Sequence, residues 1–304
     1  MRIGIDIGGS HIASGIVLEN GEIKDKETRD IDISNIIDEK RVEKIIIDEI
    51  KIEIDTLIKR NDYSIGEISK IGIAAPGNPS EKCIRNLVNL NIKEFNIVEE
   101  LEKIYRTNVV LHNDGKCAGI AEKKYGALKK YGDCVFLCIG TGVGSAVFIN
   151  NKLLVPKNAV GFELGHMIID KSSKNKCNCG NKGCYETFAS MKRFKQNAIN
   201  ELKLEHNLVS EEVQNYIRIN IKNPTVKRYV DEYLENIAIG LSNIINIFEP
   251  EAIAFGGSFS YYSDIFLPII KEKIKKYKFN KTNKTELLEA KLKNDAGIIG
   301  SVII

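Results

Sequence analysis

The sequence lacks the features of a secreted, membrane-spanning or disulfide-bonded protein. Its first residues alternate isoleucine with Gly4 and Asp6, so no cationic, apolar signal segment opens the chain. The longest uncharged stretch, 134–151, contains several glycines and is only about the minimum length of a membrane span, so two strands around a turn are expected there. No Ser-, Pro- or Gly-rich linker and no low-complexity tract is present. We therefore expect a soluble, cytoplasmic protein without a membrane partner.

An excess of either charge is also missing. The 44 basic and 41 acidic side chains leave a net charge of +3, which is too small to indicate a nucleic acid as partner. The 304 residues are 43% apolar, enough for about two domains with sizeable cores. Seven cysteines in a chain without a secretion signal argue against a disulfide framework. Four are scattered among apolar residues and predict free core thiols, whereas Cys177, Cys179 and Cys184 are clustered.

Hydrophobic periodicity predicts strands first and helices later. The first 30 residues are typical of a meander of strands, and apolar residues four apart from Val42 to Ile58 predict a helix over about 38–60. A strand at 108–112 precedes a helix that starts near Asp114, and two further strands flank a glycine turn. The later part of the chain is mostly helical, with helices predicted at 186–204, 210–217, 226–248 and about 262–276.

One arrangement occurs twice, about 135 residues apart: a glycine turn between two alternating strands. Such turns let backbone amides approach an anion, and successive amides form a concave anion site. Ser10 and Thr141 add hydroxyl donors, and Asp6 could hold Mg²⁺ through water. The alternative is a pair of ordinary tight hairpins. The glycines concerned are Gly8, Gly9, Gly140, Gly142 and Gly144.

Two other stretches have both a structural and a functional interpretation. Gly256-Gly257-Ser258 follows an apolar strand, and a plain strand-to-helix turn explains it equally well. Asp114 follows His112-Asn113 at the end of a predicted strand, at or near a helix N-cap, where aspartate satisfies free amides. The functional alternative for Asp114 is a general base that takes the proton from an attacking hydroxyl during phosphoryl transfer.

The cysteine cluster predicts a zinc site. Its three thiols fall within eight residues, and His166 lies eleven residues upstream of Cys177. Cys₃His is a structural, four-coordinate zinc set. Four protein ligands leave no open position for catalysis, so the ion would fold a loop that has little apolar content of its own. Chance free thiols are the alternative.

Two acidic residues flank this cluster, Glu163 before His166 and Glu186 after Cys184. A metal that fixes the loop would also fix both carboxylates, which are suitable acceptors for sugar hydroxyls. The alternative is that both are solvated surface glutamates without a role in binding.

In their order along the chain, these motifs resemble those of the ROK family (repressors, open reading frames and kinases), over essentially the whole length. The cysteine stretch that ends in Glu186 is nearly diagnostic, and the other motifs are individually shared with other actin-like ATPases. The matching stretches are Asp6–Ser10, Ala75–Gly77, Asn113-Asp114, Gly140–Gly144, Glu163–His166, Cys177–Glu186 and Gly256–Ser258.

The resemblance implies an α/β, two-lobed actin-like (ribonuclease-H-like) ATPase fold with a zinc-binding loop. An N-terminal small lobe would span 1–112, and a C-terminal segment, 293–304, would return to it. A C-terminal large lobe would span 113–292, with the zinc loop at 166–184. A homodimer or homotetramer is expected.

The resemblance also implies roles for single residues. It assigns the phosphate turns to Asp6–Ser10 and Gly140–Gly144, the adenosine loop to Gly256–Ser258, and the catalytic base to Asp114. His166 would serve both zinc and sugar. The implied sugar contacts are Asn89, Asn113, Asp114, Glu163, His166 and Glu186.

The function that the resemblance implies is ATP-dependent phosphorylation of a hexose, first of all glucose to glucose 6-phosphate. The implied cofactors are ATP with Mg²⁺ and a structural Zn²⁺. N-acetylmannosamine or N-acetylglucosamine is the alternative substrate. A sugar-sensing transcription regulator of the same family is an alternative of another class; its helix-turn-helix segment is not expected here, because the phosphate turn begins at Asp6.

Overall fold

The structure is a computed structural model that describes residues 1–33, 36–80, 82–87, 92–157 and 161–303. The chain divides into two compact units. Unit 1 comprises Met1–Lys129, Val155–Gly161 and Asn294–Ile304, and unit 2 comprises Lys130–Leu154 and Phe162–Lys293. The sequence-based lobes, with their boundary after residue 112, remain a prediction about domain organisation.

Unit 1 is built on a mixed five-stranded sheet. Its elements are β1 (Arg2–Ile7), β2 (His11–Val17), β3 (Ile23–Asp30), α1 (Glu39–Arg60), β4 (Lys70–Ala75), β5 (Asn78–Pro79), β6 (Ile84–Leu87), β7 (Ile92–Phe95), α2 (Ile97–Tyr105), β8 (Val109–Asn113), α3 (Asp114–Lys124) and, from the C-terminal segment, α9 (Ala296–Ser301). The strand order is β3-β2-β1-β4-β8. The first three strands are antiparallel neighbours, and β1, β4 and β8 run parallel. β5, β6 and β7 form a separate antiparallel sheet.

Unit 2 repeats this topology. Its elements are β9 (Cys134–Ile139), β10 (Val143–Ile149), β11 (Lys152–Leu153), α4 (Glu186–Ala189), α5 (Met191–Glu201), α6 (Ser210–Ile219), α7 (Pro224–Phe248), β12 (Ala252–Gly256), α8 (Ser263–Tyr277) and β13 (Glu286–Glu289). The sheet order is β11-β10-β9-β12-β13, again three antiparallel neighbours followed by parallel ones. The repeat of a glycine turn between two strands is therefore a repeat of a whole sheet.

The core of unit 1 is almost entirely aliphatic. α1 begins where the Asp38 side chain accepts the Lys40 amide at 3.0 Å, the N-cap bond that starts a helix. Its residues four apart, from Val42 to Ile58, are buried against the sheet. The sheet contributes the alternating isoleucines of β1, since every second side chain of a strand faces the same side.

α9 packs on this sheet with its backbone in direct contact with two strands, in addition to the side-chain contacts of Ile298. Gly4 of β1 and Gly72 of β4 are partners in the parallel register. A β-carbon on Gly4 would overlap the carbonyl oxygen of Ile298, and one on Gly72 that of Ser301. The helix can therefore lie this close only because both strand positions are glycine.

The helices of unit 2 agree with the periodicity except at one point. The helix predicted over 186–204 is two helices, α4 and α5, because Ser190 takes an extended conformation. The Ser190 hydroxyl accepts the Arg193 amide at 3.4 Å and so caps α5. The apolar spacing continues through this break, which is why periodicity alone predicted a single helix. None of the helices in the described ranges is long and apolar enough to cross a membrane.

Candidate active site

The first glycine turn closes locally. Between β1 and β2, the Gly8 amide donates to the His11 carbonyl at 2.9 Å. Gly9 and Ser10 lie exposed at the tip of this hairpin. A short exposed turn of this kind leaves room for an anion beside the backbone.

Asp6 stands one residue from the end of β1, close to this turn. A β-carbon on Gly297 of α9 would overlap its carboxylate, so the helix shields this group from water. Burial raises the pKa of Asp6 to about 7, and the negative charge of Asp114 raises it as well. Two half-buried carboxylates that repel each other suit a divalent cation, because it would neutralise both.

Asn113, not Asp114, caps α3. The Asn113 side-chain oxygen accepts the Lys116 amide at 3.1 Å, and its amide group donates to the Gly77 carbonyl at 3.3 Å. Asp114 is the first residue of the helix, and its carboxylate accepts the Gly115 amide at 2.7 Å. Asp114 therefore lies next to the N-cap and satisfies one free amide of the first turn, whereas Asn113 makes the N-cap bond itself. Asn89, which was predicted to contact the sugar together with Asn113 and Asp114, lies outside the described residues.

The second glycine turn, in unit 2, is held by a distant side chain. Between β9 and β10 the Gly140 amide donates to the Gly142 carbonyl at 2.9 Å. The next amide, that of Val143, donates to Glu186 Oε2 at 3.0 Å. Thr141, at the tip, is exposed.

The third glycine stretch meets the second. Gly257 has φ +72°, and a β-carbon there would lie 2.7 Å from the Ile139 carbonyl oxygen, so this position requires glycine. Ser258 Oγ lies 4.0 Å from the place of a β-carbon on Gly140. The turn after β12 and the turn after β9 are thus neighbours, as expected for adjacent parallel strands that end at the same edge of a sheet.

A cavity of about 400 Å³ opens where these two turns meet. This volume is in the range of small-molecule sites. Its far wall comes from the first turns of α5 and α6 and from the segment before α8, where Gln214 donates to the Tyr261 carbonyl at 2.8 Å. The residues that line it are Gly140, Thr141, Met191, Lys192, Phe194, Lys195, Gln196, Ser210, Val213, Gln214, Ser258, Tyr261 and Tyr262.

The predicted zinc ligands converge within unit 2. His166 ends a short 3₁₀ turn, Leu164–His166. The ligand atoms of His166, Cys177, Cys179 and Cys184 all lie within 4.8 Å of one another. Cys179 Sγ is 3.7 Å from Cys184 Sγ, and Cys177 Sγ is 3.5 Å from His166 Nδ1. Ligands about 2.0–2.3 Å from a tetrahedral zinc would be separated by about 3.5–3.8 Å, so this donor set fits the ion.

The two flanking glutamates are placed differently. Glu163 directly precedes the 3₁₀ turn, which β10 holds because the Leu164 amide donates to Ser145 Oγ at 3.2 Å. Glu186 is the first residue of α4, and its second carboxylate oxygen, Oε1, lies 3.6 Å from Cys177 Sγ. Both acids therefore flank the cysteine cluster, Glu163 on the segment before His166 and Glu186 on the segment after Cys184.

A model of the ROK family matches residues 2–304. The chain belongs to the ROK family. The resemblance drawn from the sequence motifs is thereby confirmed.

Named relatives of this ROK chain include both enzymes and regulators. It is 28% identical to the glucokinase of Thermotoga maritima, over 99% of this chain and 96% of that protein. It is also 28% identical to the xylose repressor of Caldicellulosiruptor bescii, over 99% of this chain but 76% of the repressor. Its α/β fold matches that of the ROK family glucokinase from Streptomyces griseus, solved in complex with glucose and AMPPNP. The TM-score is 0.82 at 23% identity, with 99% of this chain and 97% of that chain covered.

Sequence reasoning missed the cavity wall of this ROK chain. Lys192, Lys195, Gln214 and Tyr261 are scattered over about 70 residues and form no motif. One weak signal was available: an exposed tyrosine follows the third glycine stretch by three residues. The wall is assembled by helix packing, which local sequence does not show.

Proposed function

We propose that this chain transfers the γ-phosphoryl group of ATP to a hydroxyl group of a hexose, with glucose as the preferred sugar. The observation that carries the proposal is the cavity at which Gly140, Thr141 and Ser258 meet. Lys192 and Lys195 give it positive charge suited to phosphate oxygens. The Tyr261 ring, 53% exposed, offers a flat face on which a nucleobase can stack. The name of the Thermotoga relative supports the sugar chosen.

In the proposed reaction Asp114 is the general base. It accepts the hydroxyl proton while the sugar oxygen forms a bond to the γ-phosphorus, and the bond from phosphorus to the bridging oxygen breaks to release ADP. Asp6 would hold the Mg²⁺ that accompanies ATP, through water. Asp6 would be held ionised by such a cation, although burial and, second, the charge of Asp114 raise its pKa.

The other predicted residues bind substrates. Backbone amides and hydroxyls of the two phosphate turns contact the phosphates, and Gly256, Gly257 and Ser258 border the adenosine. The proposed sugar contacts are Asn89, Asn113, Asp114, Glu163, His166 and Glu186.

Zn²⁺ is the proposed ion of the cysteine cluster. With four protein ligands it supplies structure rather than catalysis, by joining the turn that carries His166 to the cysteine loop. The chain's own residues then present Glu163 and Glu186 to the sugar.

A sugar-sensing regulator is the second candidate, and the observation that favours it is the match to a xylose repressor over 99% of this chain. Such a protein would bind its sugar without turnover. Binding and turnover measured on the same preparation therefore separate the two functions.

The test is ADP release by the purified chain with ATP and Mg²⁺, measured with glucose, mannose, fructose, N-acetylglucosamine and N-acetylmannosamine. We expect the highest kcat/KM with glucose. Calorimetry with each sugar is run in parallel, and Asp48→Asn, at an exposed position of α1, serves as a control with unchanged turnover. Tight sugar binding without ADP release from any sugar would contradict the kinase and favour the regulator.

A further inference from the structure

The Glu186 carboxylate contacts both the second glycine turn and the cysteine cluster, which are separate motifs in the sequence. Oε2 accepts the amide of Val143, the residue that closes the second glycine turn. Oε1 lies 3.6 Å from Cys177 Sγ in the cysteine cluster. A single side chain therefore joins the proposed donor-phosphate turn to the proposed metal loop.

The absence of a side chain at Gly142 leaves the space that the Glu186 carboxylate occupies. A β-carbon on Gly142 would overlap Glu186 Oε2 and lie 3.2 Å from its Cδ. Any other residue would push the carboxylate away from the turn, because the end of the flexible glutamate side chain would move aside to make room for the β-carbon. Gly142 thus makes room for Glu186, besides any contact with a phosphate.

The backbone of Glu186 is held firmly on both sides. The preceding Tyr185 is fully buried, and its hydroxyl donates to the Ile237 carbonyl of α7 at 3.1 Å. Its ring fills the space beside Gly240, where a β-carbon would overlap it. One residue further back, Cys184 is a member of the cysteine cluster. A carboxylate anchored in this way can hold the turn in one conformation.

We propose that Glu186 is a positioning residue for the donor turn, in addition to its proposed contact with the sugar. It binds the Val143 amide and so keeps Gly140–Gly144 in the conformation that receives the ATP phosphates. The Val143 amide is consequently taken by Glu186 and does not serve as a phosphate donor. The inference rests on the proposed function, and it extends the influence of the cysteine loop from the sugar to the nucleotide.

The test measures AMPPNP binding without sugar and glucose binding without nucleotide, by calorimetry. Glu186→Ala removes the acceptor, and since a hydrogen bond to a charged group is lost we expect AMPPNP to bind at least about tenfold more weakly. Glu186→Gln keeps an oxygen that can accept the Val143 amide, so nucleotide affinity should largely return. Glu272→Ala, on the exposed face of α8, is the matched control and should bind both ligands as the wild type does.

A double-mutant cycle with Gly142→Ala tests the contact itself. Gly142→Ala alone should also weaken AMPPNP binding, and the effect of the Glu186→Ala/Gly142→Ala pair should be clearly smaller than the sum of the single effects. Thermal melts identify any variant that is not folded, in which case Glu186→Gln and Gly142→Ala still decide the question.

The failures are distinguishable. If Glu186→Ala loses glucose affinity but binds AMPPNP like the wild type, Glu186 is a sugar contact only and the inference is overturned. Strictly additive effects in the cycle would also overturn it. If the wild type binds no AMPPNP, the proposed function itself fails.

Discussion

Units 1 and 2 share one strand order and differ in how they hold the turn between their first two strands. In unit 1 the turn is held by backbone bonds, from the Gly8 amide to the His11 carbonyl and from the Ile31 amide to the Ser10 carbonyl. In unit 2 the corresponding turn is held by Glu186, 43 residues away in sequence. The same topology thus supports one turn held by backbone groups and another that is also held by a side chain from a separate part of the chain.

The cores of the units differ in the side chains that fill them, which are aliphatic in unit 1 and largely aromatic in unit 2. Unit 1 is filled by isoleucines from β1, β4 and α1. In unit 2 the Phe194 ring contacts the rings of Tyr229, Tyr233, Tyr262 and Phe266, with centroids 4.4–5.6 Å apart. The hydroxyls of Tyr229 and Tyr233 donate to backbone carbonyls of α5 and α4. Phe194 and Tyr262 also line the cavity, so in unit 2 the hydrophobic core continues into the cavity wall.

The largest expected effect would show that the chemistry belongs to unit 1. Asp114→Asn keeps the shape of the side chain but cannot accept a proton, so kcat should fall by roughly 10²–10⁴-fold. Asn113 caps α3, and the fold should therefore survive. Steady-state kinetics and glucose calorimetry check this: affinity for glucose should change only a few-fold. A variant with more than half of the wild-type turnover would remove Asp114 from the mechanism.

The second prediction concerns unit 2, where substrate affinity should depend on the metal. Freshly purified chain should contain close to one equivalent of zinc, measured by mass spectrometry. Stripping the ion should lower glucose affinity by about 100-fold, because hydrogen bonds to two charged groups would be misplaced. AMPPNP affinity should fall less, and the melting temperature should drop.

Cys179→Ser provides the same comparison without a chelator. Its thiol is exposed, so the substitution opens no cavity in the core. Metal-free protein that binds glucose as tightly as the untreated chain would separate the cysteine cluster from the sugar.

A third prediction tests the backbone packing of unit 1. Gly72→Ala would place a methyl group against the Ser301 carbonyl and displace α9, which should lower the free energy of unfolding by about 1–3 kcal/mol. Gly66→Ala meets no atom within 4 Å and is the control, with a change within about 0.5 kcal/mol. Denaturant unfolding monitors both. Equal stabilities would mean that α9 does not lie directly on the sheet.

The last effect is a change of stability with pH, and it concerns a buried acid of unit 1. Glu53 of α1 is fully buried and accepts the Ser14 hydroxyl of β2, while its Oε1 has no hydrogen-bond partner among the described residues. Burial raises the pKa of Glu53 to about 8 from an ordinary 4.5, and the nearby Glu27 raises it as well. Arg29, paired with Glu49, acts in the opposite direction.

The sign of the pH dependence follows from these values. Below pH 4.5 both states are protonated at Glu53; between 4.5 and 8 only the folded state keeps the proton, so the stability decreases as the pH rises. Glu53→Gln cannot ionise. Its stability relative to the wild type should therefore increase from pH 5 to pH 8, by at most about 1.4 kcal/mol per pH unit. Glu211→Gln, on the exposed side of α6, should show a flat difference; a flat difference for Glu53→Gln would mean that Glu53 is ionised when folded.

Most elements could be predicted because their signals are local. The four-residue recurrence from Val42 to Ile58 needed only the helical repeat, and the alternation of β1 and β2 only the pleat. The break at Ser190 was missed because a single serine among apolar spacings is compatible with either a helix or a cap. β13 has only Leu287 buried, so no alternation could be recognised.

The site was predictable to the extent that its residues are close in sequence. The cysteine cluster with His166 and the pair Asn113-Asp114 are short motifs. The choice of cap between Asn113 and Asp114 depends on side-chain geometry, and the contact between Glu186 and the turn at Gly142 spans 43 residues. Neither can be read from spacing, because helix packing decides which atoms meet.

The position of α9 has a consequence for the order in which the chain matures on the ribosome. Gly4 and Gly72 leave the ribosome early, but the helix that covers them follows after about 220 further residues. Because long-range contacts form only after the intervening chain exists, the sheet of unit 1 lacks its contacts with α9 while unit 2 is synthesised. We therefore expect a released chain truncated after residue 293, the end of unit 2, to resist protease in unit 2 and to be cut in unit 1, a reversal of the usual order in which the N-terminal domain matures first.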